Sequence, residues 1–365
     1  MPSWRKVLGQ RTLRTSGTVP ASDEHRVHEF RGTPFEVGKQ HGRALSREIR
    51  AESKPFLKWV ASKHGLRVSA SAQLLVSRYE GLFRERMPAV LEEIQGIAEG
   101  ARIAYRYAFV AAVRDMMDAG GCTSVALSGA GHPAGPVIGQ TRDTSGSSSR
   151  FHIMRIQYDS GRSMVLLNYP GWIANTGITS DGLAFAGFSL FAAAPDKPTV
   201  PGSFRKRLVL EARSTAEVLD QISGLSFPNG GLLIGDRSGH MACVEMVAGR
   251  VAVRDVSGMA LGHSNSICIT EMKQFEAIIP DASSDLRRVN IERILSEQGG
   301  NISIKSLKAA FRDHTGFPLS ICRHNSPTDT WITSAAFVAD LKALEIHIAI
   351  GSPCTSPFVR YTATA

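Results

Sequence analysis

The spacing of apolar residues changes at position 122, and this change constrains the fold more than any other feature of the sequence. Before it, apolar side chains recur every three or four residues, as at Val90, Leu91, Ile94 and Ile97, which predicts helices. From Cys122 onward, short apolar runs are separated by Gly, Pro, Asp and Ser, which predicts strands. The chain is therefore expected to join a helical N-terminal segment to sheets covered by helices, an α+β arrangement.

Local signals place the predicted elements. The stretch from Thr33 to Glu36 is a capping box with Pro34 at the first helical position, and Pro55 is expected to kink or end that helix. Further helices are predicted near 74–83, 88–97, 106–119, 204–213, 214–224, 284–298 and 303–312. Strands are predicted at 122–127, 136–141, 151–158, 163–168, 182–189, 230–235, 240–247, 250–255, 331–339 and 343–350.

The organisation predicted from these patterns has three parts. Residues 1–24 form a flexible basic lead, residues 25–121 a helical segment, and residues 122–365 the sheet-rich segment. The net charge of +9 arises almost entirely in the stretch up to and including Arg67, where fourteen Lys and Arg residues stand against six acidic residues. Because this excess is local and partly interleaved with acids, no nucleic-acid partner is expected.

Targeting and cysteine patterns exclude several protein classes. No run of eighteen apolar residues occurs, and the first twenty positions hold no apolar stretch. These patterns predict a cytoplasmic protein without a membrane span. Five widely spaced cysteines form no CxxC pair and have no neighbouring His at metal-ligand spacing, so neither a disulfide framework nor a metal site is expected. Motifs for nucleotide cofactors are also absent, and no cofactor is predicted.

The junction at Gly120, Gly121 and Cys122 allows two interpretations. One is structural: a Gly–Gly turn followed by a buried cysteine. The other is chemical: a thiol that attacks its own upstream carbonyl, with glycine permitting a strained, close-approach backbone.

Three other stretches favour the chemical interpretation, because together with the junction they form an ordered pattern from position 32 to 323. The four stretches are Gly32 to Gly38 with His41-Gly42, Gly121-Cys122-Thr123-Ser124, His263-Ser264-Asn265, and Phe317 to Arg323. In this pattern the chain resembles the penicillin acyltransferase family of cysteine N-terminal-nucleophile enzymes, also called the acyl-CoA:6-aminopenicillanic acid acyltransferase or peptidase C45 group.

The resemblance implies an αββα sandwich of two stacked sheets between helical layers. It also implies self-cleavage between Gly121 and Cys122, into two chains that stay associated. Carried over by motif, the family's nucleophile falls on Cys122, its acidic partner on Asp143, its oxyanion-hole asparagine on Asn265 and its catalytic arginine on Arg323.

One position departs from the family pattern. Related enzymes usually have an Asn-aromatic pair before the aspartate, whereas this chain has Thr141-Arg142. The wall of the pocket near the nucleophile is therefore not defined by the resemblance.

Each implied role has a physical motive. Cleavage would free an α-amino group with a reference pKa of about 7.7–8.0, which can accept the proton of a thiol whose reference pKa is about 8.5. Asn265 would donate to the tetrahedral oxyanion. Asp143 would hold the new ammonium or orient the thiol, and Arg323 would pair with that acid. A separate base such as His263 is then not required.

The implied substrates are acyl amides or acyl thioesters, processed through an acyl-Cys122 intermediate without a metal. Hydrolysis is slightly favoured because water is always available as acceptor, while an acyl-CoA-dependent N-acyltransferase remains the alternative. Two further alternatives are a non-catalytic binding protein of the same fold and a papain-like protease with His263 as base. The second lacks the local sequence expected around a papain-like cysteine.

Overall fold

The computed structural model describes residues 27–114, 121–129, 135–145, 151–276, 282–327 and 330–364. The basic lead predicted at 1–24 lies outside the described residues, as does the end of the helix predicted at 106–119. Within the described ranges, no helix is both long enough and apolar enough to cross a bilayer.

The elements follow the chain in the order helices, strands, and then a mixture of both. The helices are α1 (Pro34–Ala44), α2 (Ser46–His64), α3 (Val68–Arg86), α4 (Pro88–Ala101), α5 (Tyr105–Val113), α6 (Gly202–Glu211), α7 (Thr215–Ile222), α8 (Ala282–Glu297) and α9 (Ile304–Ala310). The strands are β1 (Val27–Gly32), β2 (Gly121–Leu127), β3 (Val137–Ser145), β4 (His152–Tyr158), β5 (Ser163–Asn168), β6 (Thr176–Thr179), β7 (Ala184–Phe188), β8 (Gly230–Gly235), β9 (Met241–Val247), β10 (Arg250–Asp255), β11 (Ala260–His263), β12 (Trp331–Asp340), β13 (Glu345–Ile350) and β14 (Val359–Thr362). A short 3-10 helix spans Thr270–Phe275.

The strands form two sheets. One has eight strands in the order β1-β4-β5-β6-β7-β8-β9-β10, and the other has six in the order β11-β2-β3-β12-β13-β14. Only β1 with β4 is a parallel pair; the other strand pairs in the described part of the chain are antiparallel.

Three apolar cores lie between four layers. Successive side chains of a strand point to opposite faces of its sheet. Thus Met154 of β4 joins the core shared with α1–α6, while Ile153 joins the core between the two sheets. In the second sheet Ala126 of β2 faces that same middle core, and Val125 faces α8 and α9. The layers are therefore helix, sheet, sheet and helix, and the expected α+β sandwich is confirmed.

Two details of the N-terminal segment differ from the sequence prediction. The strand β1 was not predicted, because Phe30 is its one buried apolar residue and its partner β4 is far away in sequence. Pro55 does not end the helix that begins at Pro34, which was one of the two predicted outcomes. That helix ends at Ala44, and Pro55 lies inside α2. Burial of Ile49, Phe56 and neighbouring apolar residues on α2 outweighs the cost of a proline inside a helix, about 3 kcal/mol.

The first motif of the sequence pattern serves the packing of α1 on α4. A Cβ on Gly38 would lie 1.9 Å from the carbonyl oxygen of Glu93, and one on Gly42 would lie 2.3 Å from that of Ile97. Glycine therefore lets the two helical backbones touch. His41 also lies on α1. Its burial, together with the charges of His28 and His152, lowers the pKa of His41 to about 3. The neutral ring accepts a hydrogen bond from the Gly171 N–H at 3.0 Å.

A buried polar cluster connects α4 to elements that follow Cys122. The Arg207 guanidinium of α6 donates to Glu93 of α4 and to the Tyr158 hydroxyl of β4, both at 2.8 Å, and to Ile173 O at 2.9 Å. The Tyr158 hydroxyl donates to Glu93 at 2.9 Å. Burial raises the pKa of Glu93, opposed by the Arg207 charge. The cluster ties the N-terminal helices to the sheet-rich segment.

We expect Glu93→Ala to destabilise the protein by about 3–5 kcal/mol, because it removes the buried carboxylate and leaves the fully buried Arg207 charge with only the part-exposed Glu211. Urea denaturation followed by circular dichroism measures the change. Glu297→Ala removes an acid of similar size from the exposed pair with Arg293 on α8, and it should change the midpoint little. Equal midpoint shifts in the two variants would show that the buried cluster has no special role.

Candidate active site

Four strands of the six-stranded sheet bring the candidate residues to one end of that sheet. Cys122 is the second residue of β2, and Gly121 lies opposite Asp143 of β3. Asp143 in turn lies opposite Thr333 of β12, beside a bulge. On the other side of β2, the strand β11 ends at His263, two residues before Asn265. The adjacent strand ends therefore collect residues that are far apart in sequence.

Cys122 is buried, with 3% of its surface exposed. Its backbone N–H donates to Asn265 Oδ1 at 2.9 Å, and its Sγ lies 3.9 Å from Gly187 O on β7. Asn265 Nδ2 donates to Ser189 O, also at 2.9 Å. In the continuous chain, the amide oxygen of Asn265 thus holds the nitrogen that cleavage would convert to an amine.

Arg287 of α8 is fully buried beside the cysteine and was not singled out from the sequence. Its Nη2 donates to Asn265 Oδ1 at 2.9 Å, and its Nη1 donates to Cys122 O and to Thr123 Oγ1. Its Nε lies 3.9 Å from Asp143 Oδ2. This permanently charged side chain therefore contacts the backbone of Cys122 and the side chain of Asn265, and it faces the candidate acid Asp143.

Asp143 has one oxygen engaged and one directed at the candidate cleavage point. Thr333 Oγ1 donates to Asp143 Oδ1 at 2.7 Å, while Oδ2 is buried and accepts no hydrogen bond from the described residues. A Cβ on Gly121 would lie 2.6 Å from this Oδ2 and 3.3 Å from Arg323 Nη1. A side chain at position 121 would thus have to displace this carboxylate.

Arg323 lies next to the same strand ends. Its backbone N–H donates to Thr333 Oγ1 at 2.7 Å, and that hydroxyl donates onward to Asp143. The Arg323 guanidinium lies near Gly121, as does Asp143 Oδ2. The direct pairing of Arg323 with Asp143 stays a prediction.

The loop that carries Asn265 is held by a buried carboxylate. Glu245 of β9 accepts from Cys268 N at 2.7 Å, from Ile269 N at 3.0 Å and from His263 Nε2 at 2.9 Å. The other ring nitrogen, His263 Nδ1, lies 2.7 Å from Ser264 O. These bonds fix the backbone on both sides of Asn265.

The same bonds decide whether His263 can act as a base. Both of its ring nitrogens face oxygens that only accept, so each must carry a hydrogen. Burial opposes the charged form, but hydrogen bonds with Cys243, Cys268 and Glu245 raise the pKa of His263 well above its usual value. The two ring nitrogens face Ser264 O and Glu245, and neither nitrogen bonds to the Cys122 thiol. The papain-like alternative with His263 as base is therefore disfavoured.

The departure from the family pattern at Thr141-Arg142 has a clear structural position. Arg142 lies directly opposite Cys122 in the ladder, and opposed side chains of an antiparallel pair share a face. Arg142 is 6% exposed, and Thr141 Oγ1 accepts the Thr123 N–H at 3.2 Å. A buried cation thus lies beside the cysteine, at a position where the resemblance implies an aromatic side chain.

A cavity of about 390 Å³ opens beside this region. Asn265 lies in its wall, together with charged side chains such as Arg254, Lys273 and Arg288. Cys122 does not line it. In the continuous chain, the thiol is therefore not reached from this cavity.

Among the residues that the structure describes, two groups of side chains have the composition of metal ligands. One is Cys243, Glu245 and His263, whose carboxylate is already occupied by the backbone N–H groups that hold the Asn265 loop. The other comprises two histidines and two cysteines near Arg323, at positions 314, 322, 324 and 354.

Sequence patterns missed the residues that connect the candidate site. Arg287, Glu245 and Thr333 are buried polar residues within a helix or strand, and each is surrounded in sequence by residues typical of that element. A buried arginine inside a helix gives no periodic signal. Their partners become visible only when strands and helices that are distant in sequence are brought together.

Several known proteins are similar to this chain. A relative in Emericella nidulans, described as acyl-coenzyme A:6-aminopenicillanic-acid-acyltransferase 40 kDa form, is 25% identical over 308 residues, or 80% of this chain and 83% of the relative. Among solved structures, penicillin V acylase from Agrobacterium tumefaciens matches with a TM-score of 0.45 and 16% identity over 63% of this chain and 83% of its own. A mutant of conjugated bile acid hydrolase from Clostridium perfringens matches with a TM-score of 0.43 and 10% identity over 67% of this chain and 98% of its own.

The match to a family model defines the family. Residues 132–354 match the model described as acyl-coenzyme A:6-aminopenicillanic acid acyl-transferase. This region is more than half of the 365 residues and includes the candidate positions Asp143, Asn265 and Arg323. The chain therefore belongs to the acyl-coenzyme A:6-aminopenicillanic acid acyl-transferase family.

Proposed function

We propose that this chain is a self-processing cysteine amidase or acyltransferase that cleaves itself between Gly121 and Cys122. The observation that carries the proposal is the position of the Cys122 nitrogen, which is bonded to Asn265 Oδ1 while the buried Asp143 Oδ2 lies against Gly121. An ammonium formed at that nitrogen would meet two oxygens already in place. Cys122, Asp143, Asn265 and Arg323 form the proposed site, with Arg287 as the residue that positions them.

In the processing step, Cys122 Sγ attacks the Gly121 carbonyl carbon. The Gly121–Cys122 peptide bond breaks, the Cys122 nitrogen takes up a proton, and Gly121 remains on sulfur as a thioester. Water then hydrolyses the thioester, leaving a carboxylate on Gly121 and a free thiol and amine on Cys122. Glycine at 121 leaves the space of a side chain to Asp143 and Arg323, which lie beside the residue that is attacked.

In the turnover step, the free Cys122 amine takes the thiol proton, and the thiolate attacks the substrate carbonyl. The ammonium then gives its proton to the leaving group, and the acyl group stays on Cys122 as a thioester. Asn265 Nδ2 is the proposed donor to the tetrahedral oxyanion, since an amide nitrogen carries two hydrogens. The buried Arg287 charge favours the negative charge that develops at this position.

The two chains formed by processing are proposed to stay associated as parts of one folded unit. Strand β1 pairs with β4 along six residues, and the Glu93–Arg207 cluster joins α4 to α6. Both contacts cross the proposed cleavage point in sequence. Burial of the helical faces in the core that they share with the eight-stranded sheet adds to this association.

The acyl acceptor is proposed to be water, with transfer to an amine as the alternative. The relative in Emericella nidulans carries the name of an acyltransferase, which favours the alternative. Arg142 is buried beside Cys122. This position favours an amide or thioester substrate whose groups next to the scissile bond are compatible with a positive charge. A non-catalytic binding protein is disfavoured, because all four proposed catalytic positions are filled and meet at one end of the sheet.

Replacement of Asn265 tests the proposed oxyanion donor. We expect Asn265→Ala to lower kcat for an N-acyl p-nitroanilide, or for an acyl thioester, by about a hundredfold or more. It should also destabilise the fold by about 1–3 kcal/mol, because Ser189 O and the buried Arg287 each lose a partner. Steady-state kinetics and thermal denaturation measure the two effects.

Asp236→Ala serves as the control, because it also removes a buried acceptor of backbone N–H groups. Asp236 follows β8, at the end of the eight-stranded sheet that lies away from the candidate site. It should lower stability with kcat unchanged. Near-normal kcat in Asn265→Ala would remove Asn265 from the proposed site.

Replacement of Gly121 tests the proposal that the free amine is the base. A Cβ at this position would meet Asp143 Oδ2, so Gly121→Ala should slow self-cleavage and let the uncut precursor accumulate. After cleavage, residue 121 is no longer bonded to Cys122, so each processed molecule should turn over substrate at the wild-type rate. Total activity should therefore rise in step with the cleaved fraction, measured by gel and by substrate assay at successive times.

The control is Gly81→Ala in α3, where an added Cβ meets nothing within 4 Å and processing should stay normal. If uncut Gly121→Ala protein turned over substrate at the wild-type rate per thiol, a group other than the Cys122 amine would be the base.

A further inference from the structure

Two histidines and two cysteines converge beside the loop that carries Arg323. They are His314, which follows α9, Cys322 and His324, which flank Arg323, and Cys354, which lies between β13 and β14. Their ligand atoms all lie within 4.8 Å of one another. The set therefore joins three segments that are up to forty positions apart.

The distances match those around a common centre. His314 Nε2 lies 3.0 Å from His324 Nε2, and His324 Nε2 lies 3.6 Å from Cys322 Sγ and 3.5 Å from Cys354 Sγ. Tetrahedral zinc with bonds of about 2.0–2.3 Å would separate such nitrogen and sulfur ligands by about 3.3–3.8 Å. The observed separations lie at or just below that range.

Hydrogen bonding alone accounts poorly for this arrangement. A neutral imidazole nitrogen either donates one hydrogen or accepts one, whereas His324 Nε2 has three potential partners at close range. A thiol is also a weak donor and a weak acceptor. Four soft or borderline ligand atoms around one point are instead the Cys₂His₂ set that binds structural zinc.

We propose that His314, Cys322, His324 and Cys354 bind one Zn²⁺ ion, which clamps the Arg323 loop to the segment between β13 and β14. Four protein ligands leave no open position, so the ion is structural and takes no part in acyl chemistry. Binding displaces the two thiol protons, so zinc uptake releases protons and strengthens as pH rises.

This inference reverses the expectation of no metal site. That expectation rested on sequence spacing, and the spacing is non-local: only Cys322 and His324 are close in sequence, and they are separated by a single residue. The ligands meet because Cys322 N bonds to Asp313 O at 2.9 Å, beside His314, and Arg312 Nε bonds to Pro353 O at 2.8 Å, beside Cys354.

The test is the metal content of the full chain, purified without chelator and measured by inductively coupled plasma mass spectrometry. We expect one zinc per chain in the wild type and below about 0.1 in Cys354→Ala, since the loss of one thiolate opens the site. Cys243→Ala is the matched control, because it removes a buried cysteine from the other metal-capable group, and it should keep one zinc.

Cobalt replacement and stability supply readouts that do not depend on activity. Reconstitution with Co²⁺ after chelation should give the absorption bands of tetrahedral cobalt with thiolate ligands. Chelation should lower Tm, and Zn²⁺ should restore it. Cys354→Ala should show neither response, whereas Cys243→Ala should show both.

Three results would overturn the proposal. One is wild-type protein that takes up no zinc or cobalt under reducing conditions, with all five thiols titratable after unfolding. The second is a mass lower by two hydrogens with no response to chelation, which would indicate a disulfide between Cys322 and Cys354. The third is loss of zinc in Cys243→Ala with zinc retained in Cys354→Ala, which would place the metal at the other group.

Discussion

The buried guanidinium of Arg287 is the interaction on which the arrangement around Cys122 depends. It donates to the carbonyl oxygen of Cys122 and to the side-chain oxygen of Asn265, and it faces Asp143 across 3.9 Å. A fully buried charge is stable only when it is paired and hydrogen-bonded, so the strand end, the Asn265 loop and α8 must assemble together. The same requirement keeps a positive charge beside the thiol, where negative charge develops in the proposed reaction.

The fold followed from the sequence to a large extent, and its exceptions have physical causes. The change of period at Cys122 reflects which faces are buried, and in the structure β2 begins beside it, at Gly121. By contrast, β1 has a single buried apolar residue and pairs with a strand more than a hundred positions later, so no local pattern reveals it. At Pro55 the burial of one face of α2 overrides the local cost.

Candidate site residues could be predicted from the sequence where they belong to a short motif. Residues that reach the site only through tertiary contacts could not. Cys122, Asp143, Asn265 and Arg323 were proposed from short motifs, and the strand register places them at one end of the sheet. Arg287, Thr333 and Glu245 connect them through buried hydrogen bonds that span up to 190 positions. The group at 314, 322, 324 and 354 was likewise hidden, because its ligands meet only through the packing of two loops.

The central claim is that Cys122 becomes an N-terminal nucleophile by cutting its own chain. Its most direct test is the intact mass of the purified protein, combined with sequencing of every new N-terminus. The account predicts two associated chains of 121 and 244 residues, apart from trimming at the outer ends, with the second beginning at Cys122. A single uncut chain that nevertheless turns over acyl substrates, or a cut whose new N-terminus is not Cys122, would contradict it.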